Sequence, residues 1–148
     1  MILIDGHNLL FKRCDTFKPN IETEIEHQTS LLLNHLANKK SIIVYDGNGG
    51  KNGYGFEKKI NKTTKVVYSG KFQKADDWIV AWISKNPSEM VTLVTDDLGL
   101  RKRAKAKRVK FENCLSWFDS TNPKTKITKR NKGEFGSVDY WEDYFDGD

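Results

Sequence analysis

Cysteine is scarce in this sequence. Cys14 and Cys114 are the only two, too few for a disulfide framework. They read as thiols of a reducing compartment, with one bridge between them left open. No apolar run approaches the ~18 residues of a membrane span, so no membrane partner is expected. The opening MILIDGHNLL has an acid at position 5 and no basic stretch, unlike a secretory leader. The expected location is therefore the cytoplasm. His7, His27 and His35 share no zinc-ligand spacing with the cysteines, which argues against a structural zinc site. Residues 1–118 contain no repeat and no Gly/Ser- or Pro-rich linker.

What is present fits one domain. The chain has 148 residues, of which 37% are hydrophobic and 11% aromatic, enough for one real core. The net charge is +5, but residues 139–148 hold five acids and no base. The preceding 138 residues therefore carry all 25 Lys and Arg against 15 acids, or +10. A body that basic calls for an anionic partner, most often nucleic acid.

Short, nearly continuous apolar runs at Ile2–Ile4, Ser41–Tyr45, Val66–Tyr68, Val91–Thr95 and Val109–Phe111 read as strands buried on both faces of a parallel sheet. The stretches 21–38 and 75–85 carry apolar residues at helical spacing, with Trp78 and Trp82 in the core. Helices are also expected at 98–107 and about 113–118. Alternating strand and helix predicts an α/β layered fold with right-handed crossovers. The predicted domain is 1–118. Residues 119–148 read as an extension, basic over 124–132 and then acidic and aromatic, either loose or docked back through Trp141, Tyr144 and Phe145.

Three strands stop at an aspartate: Asp5, Asp46 and the pair Asp96-Asp97. A second pair, Asp76-Asp77, opens the helix after the third strand. Ligands of an open parallel sheet bind beyond the carboxyl ends of its strands, so these acids lie along one edge. Two carboxylates ~4 Å apart repel by about 4 kcal/mol at an effective dielectric near 20. A cluster must therefore raise its pKa values or recruit a cation. Oxygen-only donors suit Mg²⁺ or Mn²⁺, one ion or two. Such a centre on a basic body points to phosphodiester hydrolysis by a metal-activated water. The plainer reading is helix capping, since Asp76 and Asp97 both fall at N-cap positions.

The motifs also resemble a family. Asp5-Gly6-His7-Asn8 looks like the DGxN opening of NYN domains, which belong to the PIN-like nucleases. Tyr45-Asp46-Gly47, Ala75-Asp76-Asp77-Trp78-Ile79 and Leu93-Val94-Thr95-Asp96-Asp97-Leu98-Gly99-Leu100-Arg101 resemble the later motifs in order and spacing, and the small bacterial YacP-like ribonucleases are the nearest likeness. The likeness runs over about residues 1–112. His7 stands where the family has Tyr, and Asp96 where it has Ser. The resemblance implies a three-layer PIN-like fold with a twisted parallel sheet of order 3-2-1-4-5. It implies metal-binding, catalytic Asp5, Asp46, Asp76 and Asp97, with Asp77 as a further ligand, and metal-dependent endonucleolytic cleavage of RNA.

Several residues carry secondary expectations. Asn8 and Asp96 would support the metal ligands from behind. Asn8 and His7 are expected in a loop after the first strand, with His7 exposed. Five glycines follow Asp46 within residues 47–55, fitting no phosphate-loop motif; they either let the backbone approach a nucleic-acid strand, with Tyr54 or Phe56 stacking a base, or form a plain surface loop. The run 101–110 has seven bases and no acid to balance them, which assigns Arg101, Lys102, Arg103, Lys105, Lys107 and Arg108 to phosphate contact. The expected partner is single-stranded RNA. The rivals are a non-catalytic module using the basic surface on RNA, DNA or a ribosome, and a DNA-directed 5′-nuclease.

Overall fold

The computed structural model describes residues 1–14, 21–47 and 53–123. The expected extension lies outside them from residue 124 onward. The chain runs β1 (Ile2–Asp5), α1 (Gly6–Arg13), α2 (Ile21–Leu36), β2 (Ser41–Tyr45), β3 (Tyr54–Lys59), β4 (Thr64–Gly70), α3 (Ala75–Lys85), β5 (Val91–Val94), α4 (Leu98–Arg103), β6 (Val109–Glu112) and α5 (Cys114–Ser120). One sheet of order β3-β4-β2-β1-β5-β6 forms the centre. Every pairing is parallel except the β3–β4 hairpin. The five expected strands are β4-β2-β1-β5-β6, in the expected order.

The sheet is buried on both faces because its central strands are apolar at successive positions. Ile4, Ile43, Tyr45, Val66 and Val94 face α1, α2 and α5. Leu3, Ile42, Val44, Val67 and Leu93 face α3 and α4. Fully burying each such side chain contributes about 1.5–3 kcal/mol. Among the described residues no helix is long and apolar enough to cross a membrane. Cys14 and Cys114 are both free thiols.

Three expectations need correction. Residues 6–13 form a helix, not a loop, anchored by the buried Leu9 and Leu10. It places His7 and Asn8 in its first turn, and His7 is only partly exposed. β3 had no apolar signature because every one of its residues is exposed; it is an edge strand ending in Lys58-Lys59. Finally, α4 stops at Arg103 rather than 107. The chain must turn there for Val109 to pair with Val91, which also fixes the Val91 N–H to Arg108 carbonyl bond.

Candidate active site

β1 ends in Asp5, whose side chain is only 9% exposed. Burial, against the hydrogen bonds from Thr95 and the Asn8 backbone, pushes its pKa from 3.8 to about 6, and the charges of Asp46 and Asp97 add to the rise. The Thr95 hydroxyl donates to Asp5 Oδ2 at 3.0 Å and accepts from the Asp97 N–H at 3.1 Å. Thr95 is fully buried. Its hydroxyl joins the β1 acid to the acid after β5, a role no sequence motif assigned to it.

Asp46 follows β2. Its Oδ1 accepts from the Ala75 N–H at 2.7 Å, so it caps α3 from a distant part of the chain. The residue at the local N-cap position is Lys74, which has no capping side chain. Asp76 is therefore not the cap its sequence position suggested; it sits in the first turn of α3. Its Oδ2 lies 3.5 Å from Arg103 Nη1, while its Oδ1 is buried with no hydrogen-bond partner. Asp97 is a true N-cap, accepting from the Leu100 N–H at 3.1 Å.

Asp5, Asp46, Asp76 and Asp97 line one cleft of about 200 Å³, together with His7, Asn8, Phe11, Lys74 and Ala75. The Asp46 N–H donates to His7 Nδ1 at 3.0 Å, which puts the ring proton on Nε2. Burial lowers the His7 pKa, against the nearby Asp46 charge, so the neutral ring is favoured. Asn8 Oδ1 accepts the Asp96 N–H at 2.7 Å and the Cys114 thiol at 3.3 Å, fixing the β5–α4 turn against α1. A hollow of about 580 Å³ lies at the opposite end of the strands, beside Ser41 and Thr64. Its two acids, Glu57 and Glu89, are paired with Lys65 and Lys40, so the larger space is not where unbalanced acids gather.

Two expected acids stand outside the cleft. Asp77 turns to Arg103, 2.6 Å from Nη2. The Asp96 carboxylate lies beside Cys114, whose thiol is pushed up to about 12 by burial and then by the charges of Asp96 and Asp5. The basic run is also partly committed. Arg101 donates twice to the Thr95 carbonyl, at 3.0 and 2.7 Å, and once to Asn113 Oδ1 at 2.7 Å. Arg108 donates to the Glu89 carbonyl. Arg103 takes both acids of α3. The charge balance missing along the sequence thus comes from a neighbouring helix. Lys102, Lys105 and Lys107 are exposed.

The carboxylates lining the cleft supply the oxygen donors that a hard divalent cation takes, and one of them, Asp76, has a buried oxygen without a hydrogen-bond partner. They share a cleft without meeting at a point: among the described residues no three acidic, His or Cys side chains form a metal-holding cluster. Asp46, Asp97 and Asp5 are each held by one oxygen to a backbone N–H or a hydroxyl. Carboxylates that repel one another stay at those anchors.

A family model described as YacP-like NYN domain matches residues 2–132 of the chain. The protein belongs to the YacP-like NYN family. This is a family of PIN-like nucleases, and the match covers all four acidic cleft positions. Two solved structures of Rae1 (YacP) from Bacillus subtilis have the same fold. The W164L mutant superposes with a TM-score of 0.62 at 15% identity, covering 93% of this chain and 84% of that one. The other Rae1 structure gives 0.64 at 14% identity, covering 92% and 82%. No curated protein matches the sequence significantly. For this NYN domain, the expected PIN-like architecture is therefore shown by fold, and the added β3 edge strand is a feature of the same sheet.

Proposed function

We propose that the protein is a metal-dependent endoribonuclease. The observation that carries this reading is that Asp5, Asp46, Asp76 and Asp97 line one cleft in a YacP-like NYN domain. Asp5 and Asp76 are the residues best placed to hold Mg²⁺ or Mn²⁺. Asp5 has a largely buried charge in need of a counter-ion, and Asp76 has an oxygen without a partner. Asp46 and Asp97 would complete the site with the oxygen that capping leaves over. A hard cation bound there supplies a hydroxide-like nucleophile at neutral pH and offsets charge on the phosphate. Asn8 and Thr95 hold the acids at their strand ends. Lys74, on the cleft wall, offers a cation to the incoming phosphate. Lys102, Lys105 and Lys107 hold the strand further out. The expected ends are 5′-phosphate and 3′-hydroxyl.

A non-catalytic RNA-binding module is favoured by one observation, that Asp46 and Asp97 are already employed as caps. One experiment separates the two. Single-stranded RNA is incubated with the protein and Mn²⁺, with Asp5→Asn and Asp97→Asn as controls. Cleavage by the wild type alone supports the nuclease. Binding without cleavage by any of the three supports the module.

A further inference from the structure

Among the described residues, an exposed aromatic pair stands where the β3–β4 hairpin bridges to Gly47, the residue after the cleft acid Asp46. Phe72 is 70% exposed and Tyr54 is 63% exposed. Their ring centroids are 5.1 Å apart at a 48° tilt. Phe56, 39% exposed, lies along the same side of β3, stacked on Tyr68 at 5.1 Å. Exposing this much aromatic surface is unfavourable unless something covers it.

Glycine conformations and backbone bonds shape the patch. Gly47, Gly53 and Gly70 adopt φ of +112°, +83° and +92°, a region that favours glycine. Gly70 donates to the Gly47 carbonyl, and Lys71 donates to the Gly53 carbonyl at 2.7 Å. A Cβ on Gly70 would lie 2.5 Å from the Gly55 nitrogen, and one on Gly53 would lie 2.9 Å from the Lys71 side chain. Gly70 serves the approach of protein backbone to protein backbone, and Gly53 makes room for the Lys71 side chain. The crossing they form ties the segments of Tyr54 and Phe72 to Gly47, the residue after Asp46, and the chain after Phe72 runs on to Lys74; Asp46 and Lys74 both line the cleft.

Charge indicates what the patch is for. Lys71 and Lys74 flank Phe72 in sequence and are exposed. On the α2 side, Glu22 and Glu26 lie close enough to Tyr68 to raise its pKa, after burial. Those acids disfavour a polyanion on the α2 side, whereas Lys71 and Lys74 favour one on their side, where Lys74 lines the cleft. Aromatic faces beside lysines fit unpaired bases on a phosphate backbone; a duplex keeps its bases stacked internally and offers no free face.

We infer that Tyr54 and Phe72 form a base-stacking platform that receives an unpaired stretch of RNA and feeds its backbone past Lys74 into the acidic cleft. The inference rests on the proposed ribonuclease reading for its substrate. Its test is binding, in chelator, so that no cutting occurs. The probe is a short single-stranded RNA with 2-aminopurine replacing one adenine. The wild type should quench its fluorescence. The double variant Tyr54→Leu with Phe72→Leu should bind about five- to 150-fold more weakly, the span for losing base–aromatic stacking, without quenching. An abasic strand of equal length should bind the wild type about as weakly. Phe72→Trp should restore both signals. Both rings are exposed, so the melting temperatures should match, and that match shows that the double variant is folded.

Equal affinity of the double variant and the wild type overturns the platform, as does equal affinity of the wild type for base-bearing and abasic strands. If that happens while the wild type still cuts RNA in Mn²⁺, the platform fails and the nuclease stands. Quenching by a wild type that never cuts supports the platform and removes the nuclease.

Discussion

Gln28 on α2 donates its side-chain amide to the carbonyl of Gly6 at 2.9 Å, directly after Asp5 in the chain. The same nitrogen lies 3.1 Å from the Tyr45 hydroxyl, one residue before Asp46. Its Oε1 accepts from Arg13 Nε at 3.1 Å. Gln28 is fully buried, and the Tyr45 ring packs directly on Gly6. One amide therefore sets the spacing of the β1 and β2 ends that carry two of the cleft acids. Gln28→Leu keeps the volume but removes the amide's bonds to the Gly6 carbonyl, the Tyr45 hydroxyl and Arg13. It should cost about 2 kcal/mol for the buried hydrogen bonds lost. Urea denaturation measures this; an unchanged midpoint would show that the network does not constrain the strand ends.

Asp5 makes stability depend on pH. Its folded pKa of about 6 lies above the unfolded 3.8, so the folded state holds a proton that the unfolded state releases. Stability should fall as pH rises between those two values and stay low above the upper one. About two pKa units correspond to roughly 3 kcal/mol. Asp5→Asn removes this loss. With chelator present, the variant should match the wild type near pH 4 and exceed it by up to about 3 kcal/mol at pH 7.5. Denaturation of both proteins across that range provides the check. A difference independent of pH would mean that Asp5 is not desolvated in the folded protein.

The features legible in the sequence were those written in apolar runs and their punctuation. Ile2–Ile4, Ser41–Tyr45 and Val91–Thr95 announce buried strands, and each is followed at once by a carboxylate, so the sheet edge and its acids were readable together. β3 was not readable because an exposed edge strand needs no apolar face. Nor could side-chain direction be read within the Asp pairs. Asp76 faces the cleft while Asp77 turns to Arg103, a partner 26 positions away. Arg101 looked like a phosphate ligand because its neighbours are basic. Within the protein it bonds to Thr95 and Asn113, partners set by the turn out of β5 and the turn into α5. Capping from afar, as by Asp46 on α3, likewise leaves no local pattern.

Asp97 has two separable jobs. As N-cap of α4 it needs only a side-chain oxygen for the Leu100 N–H. As a cation ligand it needs its charge. Asp97→Asn keeps the cap, since Asn caps as well as Asp. It should leave stability within about 0.5 kcal/mol while abolishing Mn²⁺-dependent cleavage. Asp97→Ala should lose cleavage and also about 1 kcal/mol of stability. Thermal melts beside an RNA cleavage assay distinguish the roles. Full cleavage by the Asn variant would leave Asp97 as a cap alone.

The basic run should divide in the same way. Arg101 holds the Thr95 carbonyl through two N–H groups and lies 5.5 Å over the Phe111 ring. Arg101→Gln should therefore lower stability, by about 1–2 kcal/mol for the charged hydrogen bonds lost. Lys102, Lys105 and Lys107 make no such internal bonds among those described, and all three are exposed. Changing them together to Gln should leave the melting temperature alone and weaken RNA binding. On a single strand each phosphate contact contributes about 0.7 to the log–log salt slope, so the triple variant should flatten that slope by about 2. Binding titrations at several salt concentrations, in chelator, measure the slope directly. An unchanged slope would place the RNA elsewhere on the basic surface, with the Lys71–Lys74 side of the hairpin as the next segment to neutralise.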